Sequence, residues 1–204
     1  EKNRVQSDGE GSTGIARFGP PGEQTFNLGS LSAGLLFKID DKTSVTGNIA
    51  RSERGPAFYE LFADGPHIAT AAYEVGDVNL RKEKSTALDL GMQWKWGASG
   101  KSTARLGLFS NRFNNFIALR RTGTDRDSDG NTGVIDCSDG TSIESGCSAE
   151  ILPEFRYQGV KARLTGFEAE TKIRLVEQPY TLDWELKADF TRAPNGDAPA
   201  FKIE

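Results

Sequence analysis

The chain has 204 residues, with 25 Lys and Arg against 29 Asp and Glu and a formal net charge of −4 at pH 7. That balance lacks the strongly basic surface of a general nucleic-acid binder, and no apolar run of about 20 residues offers a transmembrane helix. A polar average leaves a β-barrel membrane protein open, because strands that alternate apolar and polar hide the membrane face from the mean.

Taken in chain order, the dominant signal is period two, the mark of strands with unlike faces. The opening Glu1-Lys2-Asn3-Arg4 lacks the basic-then-apolar head of a signal peptide, and a polar, Gly-rich stretch (Ser7 to Gly14) follows. A strand is predicted over 25–39, with a slip of phase near Ser30, and a weaker one over 43–53. The segment from Thr86 to Trp96 is the clearest case. Thr86, Leu88, Leu90, Met92, Trp94 and Trp96 share one face, and Ala87, Asp89, Gly91, Gln93 and Lys95 the other. Strands over 102–121 and 155–177 follow. The first slips near Phe109. The second carries Val160, Ala162 and Leu164 before Gly166, then Phe167, Ala169 and Ile173 after it. A one-residue slip at a Gly predicts a β-bulge. Tyr180 to Phe190 alternates again and completes a strand over 180–192.

The connections between these strands alternate in length. Asp40-Asp41-Lys42, Gly97-Ala98-Ser99-Gly100 and Gln178-Pro179 are tight, whereas 54–83 and 122–154 are long. Short turns at one end and long loops at the other are the pattern of an outer-membrane barrel. Trp94, Trp96 and Tyr180 flank short turns, where an interfacial aromatic girdle sits. The competing reading makes the same aromatics the core of a soluble sheet, since an apolar face can meet lipid or a core. The expected fold is all-β: an antiparallel transmembrane β-barrel, here a partial barrel of about six strands with short turns and long extracellular loops. About eight strands are the minimum for closure, so the chain reads as part of a longer one.

Two further segments carry site chemistry. Between Gly123 and Glu150 lie seven carboxylates against Arg126 alone. Asp125, Asp127 and Asp129 alternate ahead of Gly130, and Asp136 falls at the twelfth position, as in a calcium loop. The shorter Asp136 replaces the usual bidentate Glu, and a solvated loop of Asx-turns is the alternative. Cys137 and Cys147 lie in the same segment. A disulfide there closes a loop of about ten residues, worth about 2–3 kcal/mol, and implies an oxidising compartment; two free thiols are the alternative. His67 is the sole His. That weakens every mechanism needing a His base beside a nucleophile, so no enzyme activity is expected. As a transition-metal ligand it has Glu60, Asp64, Glu74 and Asp77 close in sequence; alternatively it fixes the Gly65-Pro66 turn by a hydrogen bond.

Within 54–83 the residues become recognisable. Arg51-Ser52-Glu53-Arg54-Gly55-Pro56, Glu60-Leu61-Phe62-Ala63, Gly65-Pro66-His67, Ala69-Thr70, Glu74-Val75-Gly76-Asp77 and Leu80-Arg81-Lys82-Glu83 resemble TonB-dependent outer-membrane receptors. Gly166-Phe167-Glu168 resembles the start of a late barrel strand there. Gly55 and Lys82 depart from the residues usual in that family. The Gly-Pro-His with Ala-Thr is most similar to the branch that takes up zinc or other metals. The resemblance implies a barrel of about 22 strands, of which residues 1–204 form a fragment of the C-terminal half, without the plug domain. It further implies a bacterial outer-membrane location and a surround of outer-membrane lipid. Its partners are then the TonB energy-coupling complex, acting through the missing plug, and a small metal or metal-complex ligand caught by extracellular loops. No nucleic acid and no certain cofactor are expected, with Ca²⁺ or Zn²⁺ as candidates. The rival readings are a porin-type barrel and a soluble, secreted calcium-binding β-domain used in adhesion.

Overall fold

The structure, a computed structural model, describes residues 1–9, 18–97, 100–136, 147, 148, 150–193 and 200–203, with backbone alone at 135, 147 and 200–203. In chain order the elements are β1 (Lys2–Ser7), β2 (Gly22–Asn27), β3 (Leu31–Lys38), β4 (Thr43–Arg54), the one-turn helix α1 (Phe58–Phe62), β5 (Asp64–His67), β6 (Ala72–Val75) and β7 (Glu83–Trp96). Then come β8 (Ser102–Asp127), β9 (Ile135–Asp136), β10 (Cys147–Ser148), β11 (Ile151–Val176), β12 (Leu182–Arg192) and β13 (Ala200–Ile203). The main sheet runs β13-β12-β11-β8-β7-β4-β3. The β3–β4, β7–β8, β11–β12 and β12–β13 ladders are antiparallel, and among the described residues the sheet does not close on itself. The fold is that of a partial β-barrel, as the alternation and loop rhythm predict.

The chain divides into two compact units. One comprises Gly29–Glu53, Lys84–Asn114 and Lys161–Glu204. Here the usual burial order is inverted. Leu31 (79% exposed), Leu35 (82%), Val45, Ile49, Leu88, Leu90, Met92, Trp94, Leu106, Leu108, Leu182, Trp184 and Leu186 all stand open. The ladders put these residues on one face: Phe37 opposite Val45, Leu90 opposite Leu108, Ile173 opposite Trp184. A soluble monomer rarely exposes a contiguous apolar patch above a few hundred Å², whereas a barrel turns such a band to lipid.

The opposite face carries paired charge. Glu168, Glu170, Lys172 and Arg174 on β11 stand opposite Asp189, Lys187, Glu185 and Asp183 on β12. Lys172 Nζ lies 2.9 Å from Glu185 Oε1 and 3.1 Å from Asp183 Oδ2, and Arg174 pairs with Asp183. Arg105 reaches Glu170 at 3.5 Å, and Asn48 donates to Asp89 at 3.2 Å. Short turns close the strands. Asp40 accepts the backbone N–H of Lys42 and Thr43 at 2.7 and 2.6 Å, and Gly97 and Gly100 both take positive φ. Trp94 and Trp96 pack with ring centroids 5.1 Å apart just before the second turn.

Neither the bulge predicted at Gly166 nor a break at the slip near Phe109 interrupts the β11–β12 or β7–β8 ladder. The β7–β8 ladder is unbroken from Ser85↔Phe113 to Trp96↔Ser102, and the register shift of β11 against β12 lies between Arg174 and Val176. The slip near Phe109 has a packing cause. A Cβ at Gly166 would meet Phe109 Cζ at 2.6 Å and Phe190 O at 2.0 Å. The Phe109 ring therefore fills the space that a side chain at Gly166 would need. The slip near Ser30 is a break between strands: β2 pairs with β1, and β3 with β4. β8 and β11 run beyond their predicted bounds, to Asp127 and from Ile151, where the alternation of apolar and polar residues fades.

The Gly166 contact sets a test. Gly166→Ala is expected to destabilise the barrel by about 1–3 kcal/mol through overpacking. Gly107→Ala, whose Cβ would find ordinary contacts at 3.8 Å, is expected to change it far less. Heat-modifiable migration and thermal unfolding in detergent measure both.

Candidate functional site

The second unit comprises Glu1–Leu28, Arg54–Glu83 and Asn115–Val160, and it contains the buried apolar core. Leu61, Phe62, Leu80 and Ile117 form that core, with Val5, Phe18, Phe26 and Tyr157 packed against it. The long connection 54–83 is thus a folded structure built on α1. Leu61 and Phe62 point inward from the helix. The chain then returns beside it: Gly76 N–H donates to Ala63 O at 2.7 Å and Asp77 N–H to Glu60 O at 3.0 Å. A Cβ on Gly76 would lie 2.5 Å from the Leu61 carbonyl carbon, so this approach needs glycine.

Arg54 ties the connection at both ends. Its Nη1 and Nη2 donate to Glu60 at 2.9 and 3.0 Å, and its Nε donates to Glu83 at 2.5 Å. Glu60 also accepts Ala57 N–H at 2.7 Å at the start of α1, and Glu83 accepts Ile117 N–H at 2.7 Å. The hydrogen bond to Glu83, and then that to Glu60, raise the guanidinium pKa against the opposing effect of burial. Glu60 is therefore a structural carboxylate, committed to a cation and a helix start.

Beyond α1, β5 and β6 form a hairpin in which His67 stands opposite Ala72 and Gly65 opposite Glu74. β6 joins β11 in parallel, with Glu74 opposite Phe155. Glu74 is 2% exposed and gathers three partners. His67 Nδ1 lies 2.6 Å from Glu74 Oε1, Thr70 Oγ1 donates to the same oxygen at 2.9 Å, and Tyr157 OH donates to Oε2 at 3.2 Å. Burial first, and then the Glu74 charge, raise the Tyr157 phenol.

A second chain of contacts runs alongside. Tyr73 OH donates to Asp64 Oδ1 at 3.1 Å, and Arg126 stacks 5.1 Å from the Tyr73 ring centroid. Arg126 also pairs with buried Glu154 and donates to Gly130 O at 2.8 Å. Burial, reinforced by Asp64, pushes the Tyr73 phenol up to about 12.

Of the five residues grouped around the metal-ligand reading, the structure brings His67 and Glu74 together. Glu60 faces Arg54, Asp64 faces Tyr73, and Asp77 accepts Asn79 N–H at 2.8 Å in a turn. The acidic segment has turn geometry. Asp127 accepts the Asn131 side chain and the N–H groups of Asp129 and Asn131, and these bonds lower its pKa, the Asn131 side chain most. Asp125 pairs with Arg121 at 3.2 Å, and Asp136 lies in β9, which pairs in parallel with β10. Among the described residues no three His, Cys, Asp or Glu side chains converge as for a metal ion. Cys137 and the side chain of Cys147 lie outside the described residues, so the disulfide does too.

Sequence reasoning assigned no role to Arg54, Glu83, Thr70, Tyr73, Tyr157 or Glu154. One signal was available: Arg126 is the sole cation in an acid-rich stretch, and such a cation tends to be held by a carboxylate.

The sequence and the fold both find a match in known proteins. A family model described as "TonB dependent receptor-like, beta-barrel" matches residues 2–202. The chain belongs to the TonB-dependent receptor family. Solved structures share the fold. The siderophore receptor PirA from Pseudomonas aeruginosa matches at TM-score 0.57 and 18% identity over 89% of this chain and 30% of that one. The copper transporter OprC matches at 0.54 and 18% over 85% and 21%. The hemophore receptor HasR of Serratia marcescens, solved with its hemophore HasA and heme, matches at 0.51 and 16% over 87% and 23%. The chain therefore spans less than a third of each of these receptors. Membership sets aside the adhesion-domain and porin readings.

Two tests follow from these TonB-receptor contacts. Arg54→Ala strands two buried carboxylates and is expected to cost about 2 kcal/mol, below the figure for a fully buried pair because Arg54 is itself 45% exposed. Arg54→Lys should recover only part, because an ammonium cannot reproduce the fork; denaturant unfolding reads both. For Tyr73, the folded state keeps a proton that the unfolded chain has lost above pH 10. Its stabilisation is therefore complete below pH 10 and lost as pH rises through about 12. In tyrosinate absorbance, Tyr73→Phe is expected to lose a component that the parent titrates near that value.

Proposed function

We propose that this chain is a section of an outer-membrane TonB-dependent receptor that takes up a metal ion or metal complex, with zinc the first candidate. The extracellular connections capture the ligand, and a plug driven by the TonB complex releases it inward. The reading is of a transporter, without enzymatic chemistry.

The observation that carries it is the His67–Glu74 contact at 2.6 Å, with the carboxylate buried on a packed hairpin. Imidazole nitrogen and carboxylate oxygen are donors that zinc accepts. Two protein ligands fall short of the three or four that zinc takes. The reading is therefore of a metal complex, or of a site completed by other parts of the receptor. The similar solved structures are named for a siderophore, copper and heme, and metal-linked cargo is the theme common to them.

Zinc limitation is expected to raise expression of the full-length receptor. A response to iron or cobalamin with none to zinc would overturn the zinc assignment. His67→Ala is expected to weaken uptake at limiting zinc by about tenfold or more, the scale on which metal sites respond to loss even of an outer-shell partner. Uptake of radioactive zinc in cells lacking other zinc receptors measures it.

A further inference from the structure

His67 and Glu74 touch, yet their surroundings differ. The Glu74 side chain is 3% exposed. Its Oε1 takes His67 Nδ1 at 2.6 Å and the Thr70 hydroxyl at 2.9 Å, and its Oε2 takes the Tyr157 hydroxyl at 3.2 Å. A carboxylate offers about four lone-pair sites, and this chain fills three of them. Glu74 is a group turned toward the protein, with no free oxygen facing solvent.

His67 is the reverse. Its side chain keeps 30% of its surface open, and among the described residues the ring has one hydrogen-bond partner, Glu74 on Nδ1. A neutral imidazole that donates Nδ1–H carries its lone pair on Nε2. The backbone around the ring is held as well. Thr70 N–H and Thr70 Oγ1 both donate to His67 O at 3.2 Å, and Ala71 in the same turn takes a φ of 48°, in the left-handed region. Thr70 therefore joins the backbone that carries the imidazole to the carboxylate that orients it.

A histidine that binds a metal through one ring nitrogen commonly donates the other N–H to a carboxylate, which fixes the tautomer and ring orientation and raises ligand basicity. We propose that Nε2 of His67 is the single ligand this hairpin gives to the cargo metal, and that Glu74 is a positioning residue that holds the ring and strengthens Nε2 as a donor. The proposal rests on the metal-uptake reading given above and divides its two donors into a ligand and a support. One imidazole fills one of about four positions on zinc, so the hairpin recognises a metal through one open coordination position. The remaining positions belong to the cargo's own chelator, to water or to other parts of the receptor.

The test uses the full-length receptor in detergent with two probes, Zn²⁺ by calorimetry and Cu²⁺ by pulsed electron paramagnetic resonance. In the second, the uncoordinated ring nitrogen of a bound imidazole gives frequencies that depend on its hydrogen-bond partner. The parent is expected to show an imidazole signal and a zinc heat that His67→Ala removes. Glu74→Gln keeps the shape of the side chain and an acceptor for Nδ1. It is expected to weaken zinc binding by about tenfold while retaining the imidazole signal at shifted frequencies. Thr70→Val relieves Oε1 of its competing donor and is expected to shift those frequencies the opposite way; it also serves if Glu74→Gln does not fold. Heat-modifiable migration reports the folding of each variant. A loss of zinc binding and imidazole signal in Glu74→Gln as complete as in His67→Ala would make the carboxylate a ligand and overturn the proposal. Frequencies that neither variant moves would overturn it too, and in both cases the metal-uptake reading stands. A parent from which His67→Ala removes neither the signal nor the zinc heat overturns both.

Discussion

Backbone hydrogen bonding in lipid is the constraint on which the rest depends. A strand that crosses hydrocarbon has no water to satisfy its N–H and C=O groups, so every one must pair with a neighbouring strand. The β7–β8 ladder, unbroken over twelve residue pairs from Ser85↔Phe113 to Trp96↔Ser102, is that constraint met. Because the ladder holds the strands together, the side chains are released from making a core. Leu31, Leu35, Leu90 and Trp94 face outward, and ionisable groups such as Lys172 and Glu185 face inward in pairs. The two edges of the sheet, β3 and β13, are where the same constraint calls for further strands.

The loop-bearing unit obeys different rules. There the side chains supply a core. Leu61, Phe62, Leu80 and Ile117 do so, and buried carboxylates anchor the pieces. Glu60 and Glu83 share Arg54, Glu74 takes His67, Thr70 and Tyr157, and Glu154 takes Arg126. Each buried acid is matched by a donor, as burial of charge requires. The His67–Glu74 contact belongs to this scheme: the buried carboxylate is matched by the imidazole, Thr70 and Tyr157.

Most of the membrane strands were legible because lipid on one side and water on the other impose an alternation that survives in a single sequence. The 86–96 and 180–190 segments are of that kind. Legibility failed where that contrast of environments fades or a packing partner intrudes. The segments of β8 and β11 within Asn115–Val160 belong to the unit with the buried core, so their strand character left no period. β1 has one apolar residue, Val5, and its pairing with β2 leaves no mark in local pattern. The slip near Phe109 misled because the ring packs where Gly166 has no side chain, a contact between residues far apart in sequence.

Fold class, tight turns and the division between short and long connections are written in the amino-acid string. Period, turn residues and spacing are local properties, and the family motif in 54–83 is a continuous string. Which partner each carboxylate takes depends on contacts made across the fold. Glu60, Asp64, Glu74 and Asp77 look alike along the chain. Their roles separate once Arg54, Tyr73, Tyr157 and the Asn79 backbone reach them, because a carboxylate's chemistry is set by what surrounds it in space.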